Sequence, residues 1–127
     1  MTAGQVPVLY VDDDRINTFL FVETCKAIPH LAVATAADGA EALEVCRQVR
    51  PRVLVIDMNL PDTNGLVLLQ RLRAEPDMTD TPAFLCTAEM LSDVQAPAAA
   101  AGFAGCWCKP VSAPEIQADL ARAGIGA

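Results

Sequence analysis

Five short apolar runs punctuate the chain: Val8–Val11, Leu31–Ala34, Val53–Ile56, Ala83–Cys86 and Ala104–Cys108. Each is nearly unbroken by polar residues, the pattern of strands covered on both faces. Between them the period changes to that of a helix. The first helical stretch lies near Arg15–Ala27 and stops before Pro29. The second lies near Gly39–Val49, with Ala42, Leu43, Cys46 and Val49 at helical spacing, and ends at Arg50-Pro51. The third lies near Gly65–Ala74, where Leu66, Leu69 and Leu72 are expected to form the buried stripe. Pro76–Pro82 reads as a polar loop. The fourth helix falls inside Leu91–Ala101, with Gly102 as its C-terminal stop. Pro97 fits only a helix that starts close to it, so this helix is expected to be short or irregular at its N-terminal end. The fifth lies near Ala113–Ala123, with Ser112 as N-cap, Pro114 in the first turn and Glu115 near the positive helix end.

Strand and helix alternate five times. Five such units imply an α/β three-layer sandwich with a mostly parallel sheet and right-handed crossovers. Periodicity does not give the strand order. The order 2-1-3-4-5 would bring the ends of the first and third strands together at a switch point, where open α/β sheets place their chemistry. The 127 residues fit one domain, 1–127, with a core over about residues 6–123. A single core at this length buries about two-thirds of the unfolded surface, without disulfide or metal staples.

Charge narrows the function. A net charge of −7 argues against nucleic acid or an anionic membrane as an independent partner. The apolar runs are too short to span a membrane. Met1-Thr2-Ala3-Gly4-Gln5 lacks the basic and apolar regions of a signal peptide, so a cytoplasmic location is expected. Five cysteines, Cys25, Cys46, Cys86, Cys106 and Cys108, read as buried free thiols of a reducing compartment. His30 is expected in a loop before the second strand. Arg47, Arg50, Arg52, Arg71 and Arg73 read as solvated charges.

Four strands close on groups with chemistry. Asp12-Asp13 follow the first, Asp57 the third, Thr87 the fourth and Lys109 the fifth. Three carboxylates at one rim repel, and oxygen donors suit Mg²⁺, with Mn²⁺ as an alternative. Asp13 and Asp57 are expected to ligate directly, Asp12 through a held water, and Asn59 through its backbone carbonyl. Asp57 would be the nucleophile of a phosphoryl transfer. Lys109 would offset charge on the transferring group, and Thr87 would donate to a phosphoryl oxygen. Singly, the acids read as a helix N-terminal cluster, Thr87 as a turn residue and Lys109 as a solvated charge.

Together these segments resemble the receiver domain of two-component response regulators. The resemblance rests on Val8-Leu9-Tyr10-Val11-Asp12-Asp13, on Val55-Ile56-Asp57-Met58-Asn59-Leu60-Pro61 with Gly65, on Thr87-Ala88 and on Lys109-Pro110. It implies a flavodoxin-like sandwich, a cis peptide before Pro110, and a phosphohistidine donor on a histidine kinase or histidine phosphotransfer protein. It implies that Asn59 and Glu89 tune dephosphorylation. It also implies a self-phosphorylating and autodephosphorylating signalling module with no separate substrate turnover, whose output target and oligomeric state the sequence leaves open. One position departs from the family pattern: Cys106 stands where an aromatic switch residue is usual. Trp107 follows it and should face the other side of the strand.

Two other functions fit parts of the sequence. Asp12-Asp13-Asp14 contains the D-x-D spacing of haloacid-dehalogenase-like phosphatases, although Asp57 precedes Thr87 and Lys109 rather than following them. A docking or dimerisation module without phosphoryl chemistry is the third class, favoured slightly by Cys106.

Overall fold

A computed structural model describes residues 5–125. Of Met1–Gln5, expected not to be a signal peptide, residues 1–4 lie outside the described residues. Five strands alternate with five helices: β1 (Val6–Val11), α1 (Arg15–Cys25), β2 (Leu31–Ala36), α2 (Gly39–Val49), β3 (Val53–Asp57), α3 (Gly65–Arg73), β4 (Ala83–Thr87), α4 (Leu91–Ala101), β5 (Gly105–Cys108) and α5 (Ala113–Arg122). The strands form one parallel sheet in the order β2-β1-β3-β4-β5.

Strand alternation splits the core into two layers. Leu9, Val11, Leu54, Ile56 and Leu85 face α2, α3 and α4. Val8, Tyr10, Val55, Phe84 and Trp107 face α1 and α5. The central strands β1, β3 and β4 are buried throughout, which is why their sequences show no polar alternation.

Several boundaries shift. β1 begins at Val6 rather than Val8. Pro7 lacks a donor, but its carbonyl accepts from Arg52 N–H at 2.8 Å, so it still joins the sheet. β2 runs on to Ala36, and α1 ends at Cys25 rather than Ala27. In α3 the wholly buried leucines are Leu68, Leu69 and Leu72, while Leu66 is only half-buried. The phase is set by Gly65, which opens the helix so close to β3 that a Cβ there would lie 2.6 Å from the Asp57 carbonyl oxygen. The buried face therefore runs from Gly65 through Leu68, Leu69 and Leu72.

α4 is longer and more regular than Pro97 suggested. It spans Leu91–Ala101 with Pro97 inside it, and Gly102 ends it at a φ of 102°. Burial of Val94 and Ala98 against the sheet overrides the local cost of the proline. Arg73 is not a solvated charge: its guanidinium donates to the Met78 carbonyl at 2.9 Å and to the Thr81 carbonyl, stapling the α3–β4 loop. Cys25, Cys46 and Cys86 are buried as expected, but Cys106 is half-buried and Cys108 exposed. Both lie on β5, a sheet edge, where cover is incomplete.

Candidate functional site

Sheet register assembles the site. Val11 pairs with Ile56, Asp57 with Cys86, and Thr87 with Cys108. The residues that end each strand, Asp12, Asp57, Thr87 and Lys109, therefore fall in a row along the carboxyl edge of the sheet. The turn after β1 adds Asp13. Carboxylate oxygens of Asp12, Asp13 and Asp57 lie within 4.8 Å of one another.

Asp12 is almost wholly buried and fully engaged. Its Oδ1 accepts from Asp14 N–H at 3.0 Å. Its Oδ2 accepts from the Tyr10 hydroxyl at 2.8 Å and from Lys109 Nζ at 2.6 Å. Lys109 Nζ also lies 3.2 Å from Asp57 Oδ1. One ammonium thus pairs with two of the three carboxylates, Asp12 and Asp57, while Asp13 is the exposed member. Burial holds the Asp57 carboxyl above the usual carboxylate range, with Asp12 adding to the effect and Lys109 opposing it. Burial alone would lower the Lys109 ammonium, but its bonds to Asp12 and the charge of Asp57 outweigh that and raise it.

Thr87 is buried, and its Oγ1 accepts from Glu89 N–H at 3.1 Å. A hydroxyl that accepts in this way keeps its proton to donate. Asn59 Nδ2 donates to Glu89 Oε1 at 3.1 Å, so the two expected tuning residues meet at the exposed mouth of the site. The Lys109-Pro110 peptide is cis. His30 lies in the turn before β2, where its carbonyl accepts from Val6 N–H at 2.7 Å, remote in the topology from the strand ends that carry the acids.

Asp14 does not join the acids. Its Oδ1 caps α1 by accepting from Ile16 and Asn17 N–H at 2.9 and 3.0 Å. The D-x-D pair Asp12 and Asp14 is therefore divided between the site and a helix cap. Trp107 faces away from Cys106 as strand alternation requires. Its ring stacks on Phe84 at 4.5 Å, and its Nε1–H donates to Asp119 Oδ2 at 2.6 Å. Cys106 packs at the margin of the opposite layer.

Two side chains are given no role by the sequence reading. Tyr10 is the one polar-tipped residue of β1, two places before Asp12 and so on the same side of the strand. Its ring stacks on Phe21 of α1 at 4.1 Å. Burial, then Cys86 and Asp12, push its phenol well above the ordinary value, so it acts as a hydrogen-bond donor. Asp62 is the other. It reads as a turn residue, and only the folded chain reveals its partners.

Comparison with known proteins places the fold and the family. The family model of the response regulator receiver domain matches residues 8–121. The probable transcriptional regulatory protein TcrX of Mycobacterium tuberculosis is 34% identical over 125 residues, covering 94% of this chain and 52% of that protein. The chain thus spans about half the length of this curated relative. Among solved structures, the chemotaxis response regulator CheY4 of Vibrio cholerae superposes with a TM-score of 0.82 at 28% identity, covering 94% of this chain and 98% of the other. The receiver domain of sensor histidine kinase PA1611 of Pseudomonas aeruginosa, whose structure has a magnesium ion coordinated in the active site cleft, shares the fold with a TM-score of 0.82 at 24% identity over the same shares of the two chains.

Proposed function

Because the chain belongs to the response regulator receiver domain family, we propose that Asp57 is its phosphoacceptor, charged by a phosphohistidine on a histidine kinase or histidine phosphotransfer protein. The chain is a signalling module of the two-component type. The observation that carries the residue assignment is the convergence of Asp12, Asp13, Asp57 and Lys109 at one edge of the sheet.

The donor set fits a hard divalent ion. Three carboxylates within 4.8 Å offer oxygen ligands and more negative charge than Lys109 offsets. Asp13 and Asp57 would hold Mg²⁺ directly, with the Asn59 carbonyl, and Mn²⁺ would suit the same donors. Asp12, with both oxygens already bonded, would act through a held water. When bound, the ion supplies positive charge against the carboxylates and the transferring phosphoryl oxygens.

A carboxylate oxygen of Asp57 attacks phosphorus as the P–N bond to the donor imidazole breaks, and that bond's electron pair leaves with the imidazole nitrogen. Lys109 places its ammonium against the charge on the group in flight, and Thr87 donates its hydroxyl to a phosphoryl oxygen. Asn59 and Glu89, bridged across the mouth, set the lifetime of the acyl phosphate by controlling how water reaches it. With Cys106 in place of an aromatic and Trp107 anchored to Asp119, the face formed by α4, β5 and α5 moves little on phosphorylation.

Residues 6–123 form the core of the module, as a stand-alone receiver or as one part of a longer regulator or hybrid kinase. It turns over no separate substrate. Free thiols, which persist in a reducing compartment, support a cytosolic location for the exchange.

The test is incubation with Mg²⁺ and acetyl phosphate or phosphoramidate, followed by intact mass. One phosphoryl group on the wild type and none on Asp57→Ala is the expected result. An unchanged mass together with no binding of beryllofluoride would overturn the reading. Replacing Asn59 and Glu89 together should change the decay rate of the phosphoprotein.

A further inference from the structure

The turn that follows Asp57 is tied to a distant helix by one side chain. Asn59 and Asn64 pair as an antiparallel bridge. Leu60 N–H donates to the Thr63 carbonyl at 3.1 Å, and Gly65 N–H to the Met58 carbonyl at 2.8 Å. At the tip of this turn Asp62 lays its carboxylate across the start of α2. Its Oδ1 accepts from Gly39 N–H at 2.8 Å and its Oδ2 from Ala40 N–H at 3.0 Å. These amides hold the Asp62 carboxyl below the usual range.

The close approach depends on residue 39. A Cβ there would lie 2.8 Å from Thr63 Cγ2 and 3.2 Å from Asp62 Oδ1. α2 also has a cap of its own. Asp38 accepts from Glu41 N–H at 2.7 Å, and Glu41 returns a carboxylate oxygen to Ala37 N–H. Helix ends left without a side chain can be satisfied by water. Beyond its own internal bonds the exposed turn has two side-chain ties to other segments, Asn59 to Glu89 at the mouth of the site and Asp62 to α2, and Asp62 is the one that holds its tip. The same turn carries Asn59, whose carbonyl is proposed above as a cation ligand and whose side chain meets Glu89 at the mouth of the site.

We propose that Asp62 is a positioning residue for the acid site: by clasping the first turn of α2 it fixes the β3–α3 turn and so sets the affinity of the site for a divalent cation. The proposal rests on the acid-site reading given above. Its physical basis is that Mg²⁺ demands near-ideal ligand geometry, so a ligand on a loosened turn is a poorer ligand.

The experiment measures Mg²⁺ binding to the full chain by calorimetry, with amide hydrogen exchange of the metal-free protein beside it. Asp62→Ala should raise the dissociation constant by about tenfold, the low end for loss of an outer-shell partner. It should also speed exchange at the Leu60 and Gly65 amides. Asp62→Asn, which keeps an acceptor oxygen for one of the two amides, should restore part of both. Asp38→Ala removes a cap from the same helix without touching the turn, and should leave Mg²⁺ affinity at the wild-type value. Wild-type affinity in Asp62→Ala, or an equal loss in Asp38→Ala, would overturn the proposal. A wild type that takes up no Mg²⁺ would overturn the acid-site reading instead, while unchanged exchange at Leu60 and Gly65 in Asp62→Ala would overturn the clasp by itself.

Discussion

Lys109 holds together two carboxylates that would otherwise face each other out of water. Its Nζ reaches Asp12 at 2.6 Å and Asp57 at 3.2 Å, with little of any of the three side chains exposed. Removing one member of a buried charged set costs about 3 kcal/mol or more, because the rest is left uncompensated. Lys109→Met should lose stability on that scale in urea titrations without divalent ion, and Mg²⁺ should restore part of it. Asp57 gives a prediction of opposite sign. Its folded pKa stands above the ordinary 3.8, chiefly through burial. The native state therefore binds this proton more tightly than the unfolded state, and stability falls as pH rises from about the unfolded value through the folded one. Asp57→Asn should be more stable than wild type above that window and gain nothing below it. Urea midpoints across the acid range, without Mg²⁺, check this; a gain that grows toward low pH would refute it.

Among the helices, α4 and α5 stand at opposite ends of local encoding. α5 carries a complete capping box between Ser112 and Glu115 and a proline in its first turn. The sequence announces it, and the structure places it as read. α4 has no side-chain cap at Met90 and keeps Pro97 inside. It is held by what it buries rather than by its own propensity. Pro97 is exposed, and its missing N–H deprives the Asp93 carbonyl of a helical donor. Pro97→Ala should therefore stabilise the protein by about 2 kcal/mol, the helix-propensity gain less the entropy that proline removes from the unfolded chain. A rise in the urea midpoint checks it. A fall would mean that Pro97 is needed for the packing of Val94 and Ala98.

At the scale of the molecule, the parallel sheet gathers charge at its carboxyl edge, and that edge is where binding should report on the whole fold. A ligand that binds only the native state stabilises it by mass action, by about 2.7 kcal/mol at a hundred times its dissociation constant. Mg²⁺ should raise the thermal midpoint in a concentration-dependent way, and more in wild type than in Asp13→Ala. A midpoint indifferent to Mg²⁺ in both would contradict the assignment of the three acids to an ion.

The sequence determined by itself the elements, their alternation and the polar groups that close the strands. Those follow from local rules: unbroken apolar runs for buried strands, caps and glycines for helix ends, and polar groups at strand ends for chemistry. It also showed that Trp107 must turn away from Cys106, since the period of a strand is two. Tertiary structure alone decided what depends on contacts between distant segments. The phase of α3 came from Gly65 pressing on β3, the persistence of α4 across Pro97 from burial, and the removal of Arg73 from solvent from the α3–β4 loop. The bond of Asp12 to Lys109, the stacking of Tyr10 on Phe21 and the partners of Asp62 likewise need two elements brought together. A side chain's type is written in the chain, but what it touches across 22 or more residues is fixed only by how the layers pack.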